Sequence, residues 1–187
     1  SSSIVFLHNG STLDVNTLRG TDIGVGIQVS SGSSVDIDSL ILHDSNVGIS
    51  QSGTASVNVN SIQFSGSNGI GIDWSSASGA SIANVSVDPQ SSLDTILRSV
   101  DLSSGTLRDV TSIGSLDNNP AFYVDVSGFI DLNNISASNY SEGIVARGQG
   151  IIELSEVNLN VSERIIDAVG DVKIHASDSN WSTELEG

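Results

Sequence analysis

The chain has no cysteine and no methionine, and only two prolines in 187 residues. Without cysteine there is no disulfide framework and no thiolate chemistry. The missing methionine extends to position 1, which suggests a processed mature protein or an excised piece. Positive charge is scarce: Lys and Arg total 6 against 22 Asp and Glu, for a formal net charge of −16, and Lys173 is the single lysine. Nucleic acid and anionic membranes both call for a basic surface, so neither is an expected partner. No apolar run approaches the ~20 residues of a membrane helix, so no membrane insertion is expected. Nor is there a signal-peptide pattern, and the early run Ile4-Val5-Phe6-Leu7 is strand-sized. Aromatics make up only 4% of the chain, so a core has to be built from Val, Ile and Leu.

What is present is a repeat. From Gly32 to Val59 the unit is a Gly followed by an alternating apolar pair (Val35, Ile37; then Val57, Val59). Two polar residues later comes a second pair (Leu40, Leu42; then Ile62, Phe64), and beyond a turn a third (Val47, Ile49; then Ile70, Ile72). Three short strands in about 22 residues is the signature of one coil of a parallel β-solenoid. Glycines that open successive units are read at Gly10, Gly32, Gly53, Gly79, Gly105, Gly128, Gly150 and Gly170. Further apolar positions are Leu13, Val15, Leu18, Val25, Ile27 and Val29 early on, and Ile82, Val85, Val87, Ile96, Val100 and Leu102 around Pro89. Later come Leu107, Val110, Ile113, Phe122, Val124 and Val126, then Ile130, Leu132, Ile135 and Ala137. Ile152, Leu154, Val157 and Leu159 repeat the template, and Val172 and Ile174 begin a partial coil. Trp74 falls at an inward position, and Tyr140 reads as a loop residue. A helical reading fails, because glycine is frequent and the apolar residues alternate. An antiparallel sandwich would not need turns at a fixed period. The prediction is an all-β, right-handed parallel β-helix of seven to eight coils, forming a single domain over 1–187.

The period and the three-strand rung resemble the right-handed parallel β-helix of the pectin-lyase-like superfamily over nearly the whole chain. That superfamily includes polysaccharide lyases and hydrolases, phage tailspikes, and surface proteins and adhesins, and fold alone does not choose among them. The resemblance implies that a pectate lyase would carry acidic Ca²⁺ ligands beside an Arg base. It implies that a pectin hydrolase would carry Asn-Thr-Asp, Asp-Asp, Gly-His-Gly and Arg-Ile-Lys. None of those four motifs occurs here. A lyase acting on a polyuronate also needs a basic groove, whereas Arg19, Arg98, Arg108, Arg147, Arg164 and Lys173 are scattered along the repeats. Arg108-Asp109 and Glu163-Arg164 read as surface pairs. No catalytic residue is assigned and the chain is not expected to be an enzyme.

Equivalent residues of successive coils stack about 4.8 Å apart. Two outward columns follow: Asp14, Asp36, Asn58, Asp131, Glu153 and Lys173; and Asn16, Asp38, Asn60, Asn133, Ser155 and His175. The Asn positions suit amide ladders. Asp14 above Asp36 would repel unless a hard cation intervened, and Asp14, Asn16, Asp36 and Asp38 form the candidate set of oxygen ligands, with Ca²⁺ the one cofactor they suit. His8, His43 and His175 fall in different coils and read as solitary exposed residues. N-glycosylation sequons occur at Asn9, Asn84, Asn134, Asn139, Asn160 and Asn180.

Regularity without a catalytic motif, an acidic surface and many sequons point to a non-catalytic extracellular structural module of a cell-surface protein, adhesin or filament. The alternative is a carbohydrate-active or polysaccharide-binding β-helix domain, which an outward cluster of Asp with Arg along one groove would favour. Ser1-Ser2-Ser3 leads straight into Ile4-Val5-Phe6-Leu7, and only a polar tail with Trp181 as candidate lid follows Ile174. Both ends are therefore expected to meet protein, either further coils of the chain or further copies stacked end to end.

Overall fold

The computed structural model describes residues 2–115 and 117–183. Among them there is no helix, and all fourteen strands pair in parallel within one continuous sheet. The sheet winds into a solenoid of about 8 turns with roughly 22 residues between stacked strands. The alternating Val, Ile and Leu residues drive this arrangement. Each apolar pair sends its side chains to the same side of a strand, and only stacking on a neighbouring rung removes them from water.

Each rung has three faces. On the first, Val15 stacks on Ile37 and Ile37 on Val59; Ile82 aligns with Leu107, Leu107 with Leu132, and Leu132 with Leu154. On the second, Leu18, Leu40, Ile62, Val85, Val110, Ile135 and Val157 follow one another in register. On the third, Ile27, Ile49, Ile72, Leu97 and Phe122 do so. From Ile27 onward these side chains belong to one buried core that extends to Val161, and Val15 and Leu18 of the first coil pack half-buried against it. The later strands Ser92–Ile113, Pro120–Gly148 and Ile151–Gly170 run on through corners, where the ladder shifts register between Ser99 and Ser104 and between Ser138 and Glu142.

Several positions differ from the sequence reading. Gly105 does not open a rung. It lies within a strand, in register with Ala80 and Ile130, and is buried beside Trp74. Trp74 is core, as read. The inward partner of Val110 is Ser112 and not Ile113, which is only half-buried. Ser112 Oγ hydrogen-bonds the Tyr140 hydroxyl at 2.5 Å, so this polar residue is satisfied where an aliphatic one was expected. Tyr140 is correspondingly no loop residue: it is 1% exposed and among the largest side chains of the core. Val100 is 47% exposed because the strand aligns Leu97 with Ile72 and Ser99 with Trp74, which puts Val100 beyond the inward positions.

The last coil is shifted by two residues from the expected columns. Lys173 pairs with Ile151 and His175 with Glu153, so His175 belongs to the column of Asp131 and Glu153. Its Nδ1 lies 2.7 Å from Glu153 Oε1. Trp181 is in register with Leu159 and packs half-buried against the core. The tail beyond Thr183, like Ser1, lies outside the described residues.

Candidate functional site

The proposed cation ligands sit on the first face of the first two rungs. Asp14 is in register with Asp36, and Asn16 lies between Val15 and Thr17, the partners of Ile37 and Ser39. Asp36 and Asp38 are occupied on their other side. Asn58 Nδ2 donates to Asp36 Oδ1 and Asn60 Nδ2 to Asp38 Oδ1, each at 3.1 Å. These are the rungs of an amide–carboxylate ladder. Among the described residues no three His, Asp or Glu side chains come together in a group that could hold a metal ion.

Four sequon asparagines, Asn9, Asn84, Asn134 and Asn139, have left-handed backbone conformation and are exposed. Asn84-Val-Ser and Asn134-Ile-Ser share one place on the rung: a left-handed corner residue, an inward aliphatic, an outward hydroxyl. Asparagine tolerates that conformation better than most residues, so the rung itself generates the triplet. The corner amides are used between rungs: Asn84 Nδ2 donates to the Asn60 carbonyl and Asn134 Nδ2 to Asp109 Oδ1, both at 2.7 Å. Asn180 is exposed, while Asn160 is half-buried and accepts from Ser182 Oγ at 3.3 Å.

The solenoid departs from its template at one corner, between the second and third faces. The step from the last inward residue of the second face to the matching residue of the third is seven positions for Leu42 to Ile49 and for Ala137 to Ile144. It is eight for Phe64 to Ile72, and ten for both Val87 to Leu97 and Ser112 to Phe122. The surplus chain bulges outward as Asp88-Pro89-Gln90-Ser91 and around Asp117-Asn118-Asn119-Pro120, and clefts open beside both segments.

One cleft, of about 280 Å³, is lined by Gly69, Ile70, Asp94, Thr95, Arg98, Asn119, Pro120 and Tyr123. Arg98 donates from Nε to Asp73 Oδ1 at 3.0 Å and from Nη2 to Asp73 Oδ2 at 2.6 Å. This two-point bond holds the guanidinium pKa above its ordinary value, against partial desolvation. Asp94 Oδ1 accepts from Ser115 Oγ at 2.8 Å. Tyr123 stands on the rung next to Arg98, in register with it. Further along this face Arg147 meets Asp167, and Arg164 meets both Glu142 and Asp167. The expected Glu163–Arg164 pair does not form, and Asp109 bonds Asn134 rather than Arg108. Salt bridges here run mostly between rungs, because the ladder brings residues of successive coils closer than neighbours along a strand, which point to opposite sides.

The other cleft is lined by His43, Ser65, Gly66, Asp88, Pro89, Gln90 and Ser91. His43 is not solitary. Its Nδ1 is 3.0 Å from Ser65 Oγ and its Nε2 3.0 Å from Asp44 Oδ2, while Ser67 N–H donates to Asp44 Oδ1. The order of residue types is that of a catalytic triad with the ring nitrogens exchanged. The nearby Gly66 N–H is already donated to Ser91 Oγ at 2.8 Å, and His43 is exposed, so a preorganised oxyanion donor and a dry site are both missing from this cluster.

Sequence reasoning did not single out Asp94, Arg98, Asn119 or Tyr123 as a group. The available signal was rung length: the interval from Ile82 to Leu107 and from Leu107 to Leu132 is three residues longer than from Val15 to Ile37. No family model, no curated protein and no solved structure matches this chain.

Proposed function

We propose that this chain is a non-catalytic extracellular module, a rigid rod within a cell-surface protein, adhesin or filament of the pectin-lyase-like β-helix type. The observation that carries the reading is the continuity of the stack. One apolar core runs through every rung, and outside it side-chain ladders such as Asp36–Asn58, Asp38–Asn60 and Asp109–Asn134 tie coil to coil. Such a stack spans distance and resists bending, which is what a spacer needs. A net charge of −16 keeps its sides apart from other acidic copies. Half-buried Ile4, Val5, Leu13 and Val15 in the first coil, and Ile166, Val172 and Ile174 in the last two, suit stacking on further coils or on another copy.

A second reading, polysaccharide binding, is favoured by one feature: Asp73, Asp94 and Arg98 beside Tyr123, at the corner where two rungs are enlarged. Incubation with soluble polysaccharides, scoring retention in affinity gels and release of new reducing ends, separates the possibilities. The rod alone predicts neither signal and the second reading predicts retention without release. Release of reducing ends would overturn the non-catalytic assignment.

A further inference from the structure

We propose that the cleft between Asp94 and Tyr123 is a binding site for one neutral pyranose unit of a saccharide. The inference rests on the polysaccharide-binding reading and narrows it to a place and a sugar class.

A pyranose offers vicinal hydroxyls around its rim and C–H bonds on its faces. Its recognition therefore needs hydrogen-bond acceptors, N–H donors and an aromatic ring, set on a rigid frame. The cleft supplies each. Asp94 Oδ1 accepts from Ser115 Oγ, and Oδ2, without a hydrogen-bond partner among the described residues, is placed to accept from sugar hydroxyls. Arg98 spends Nε and Nη2 on Asp73 and keeps Nη1 to donate. Tyr123 is half-buried on the next rung and offers an apolar ring, with Pro120 on the same rim. The side-chain amide of Asn119 has no hydrogen-bond partner among the described residues, and the residue is anchored through its carbonyl, which accepts from Ser141 Oγ at 3.1 Å.

Charge narrows the sugar class. The Arg98 cation is already matched by Asp73, and Asp94 adds a further negative charge. A uronate would face net repulsion, so a neutral unit is favoured. Size narrows it further. About 280 Å³ lies just below the range of pockets that hold drug-sized ligands, which suits one ring with its chain continuing into solvent. The location is consistent with a built site: the corner takes seven or eight residues in the other rungs compared, and the two rungs enlarged to ten supply Asn119, Pro120 and Asp94.

The test is saturation-transfer NMR on the full chain with methyl glucoside, mannoside and galactoside as probes, and methyl glucuronide and methyl glucosaminide as charged comparators. At least one neutral glycoside should receive saturation. Its affinity should fall by about tenfold or more in Tyr123→Ala and in Asp94→Asn, and hold in Tyr123→Phe. Unchanged melting temperatures establish that the variants remain folded, and a variant that fails this check is replaced by Asn119→Ala, for which the same loss is expected. Preference for the glucuronide, no saturation of any neutral probe, or binding indifferent to every folded variant would overturn the site. Polysaccharide retention that persists in those variants would overturn this site alone, whereas no retention by the unaltered chain would overturn the second reading with it.

Discussion

The indole of Trp74 lies against Gly105 of the next rung, so closely that a Cβ on Gly105 would stand 2.7 Å from Trp74 Cζ3. Trp74 is fully buried on the third face, and Gly105 occupies the first-face position that Ile130 and Ile152 fill farther along. The large and small residues are complementary halves of one packing layer.

Gly105→Ala should therefore destabilise the fold by about 1–3 kcal/mol, despite the usual gain from replacing glycine in a strand. Thermal unfolding of Gly105→Ala, and of Gly105→Ala combined with Trp74→Leu, checks this. The second substitution should recover part of the loss, and equal melting temperatures for the single variant and the unaltered chain would refute the packing.

Tyr140 and Ser112 give a pH-dependent test. Burial pushes the Tyr140 phenol well above its ordinary value; the Ser112 hydrogen bond opposes the shift and Asp94 adds to it. A raised folded-state value means that folding favours the neutral phenol. This contribution is intact below the unfolded value near ~10 and is lost as pH climbs from there toward the folded value. In an ultraviolet titration Tyr140 should ionise only together with alkaline unfolding. Tyr140→Phe should flatten the alkaline limb while costing about 1–3 kcal/mol at neutral pH through the orphaned Ser112 hydroxyl. Ionisation of Tyr140 in the still-folded chain, identified by comparison with Tyr140→Phe, would contradict the buried placement.

Register is tested on adjacent residues. Ile37 is fully buried and Asp36 exposed beside Asn58. Ile37→Asp should cost several kcal/mol, and Asp36→Ser only about 0.5 kcal/mol or less. Denaturant midpoints for the two variants check the difference, and matching values would refute the alternation.

Electrostatics predict a salt response. With a net charge of −16 and Asp14 stacked on Asp36, roughly 0.5 M NaCl should raise the melting temperature by screening. Since Asp36 and Asp38 already accept amide hydrogens, CaCl₂ at matched ionic strength should add no more than NaCl. A surplus with Ca²⁺ that disappears in Asp36→Asn would instead place a cation at Asp14, Asn16, Asp36 and Asp38.

Most of the fold was legible because a solenoid repeats one local rule. Val35, Ile37, Leu40 and Leu42 state the rung, and every later copy restates it. Two of the departures fall where side chains from different rungs compensate each other. Ser112 could replace an aliphatic residue because Tyr140, 28 positions away, supplies its hydrogen bond. Gly105 could enter the core because Trp74 fills the space. The corner cleft was illegible for the same reason: Asp73, Asp94, Arg98, Asn119 and Tyr123 come together only through stacking, and their spacing resembles no local motif. His43 and Asp44 were visible as neighbours, but Ser65 joins them only through the ladder.

The assignment to the cell surface is tested most directly by antibody labelling of intact cells of the source organism, compared with permeabilised cells. Labelling of intact cells, lost after gentle external proteolysis, is the result expected of an extracellular rod. Labelling that appears only after permeabilisation would contradict it.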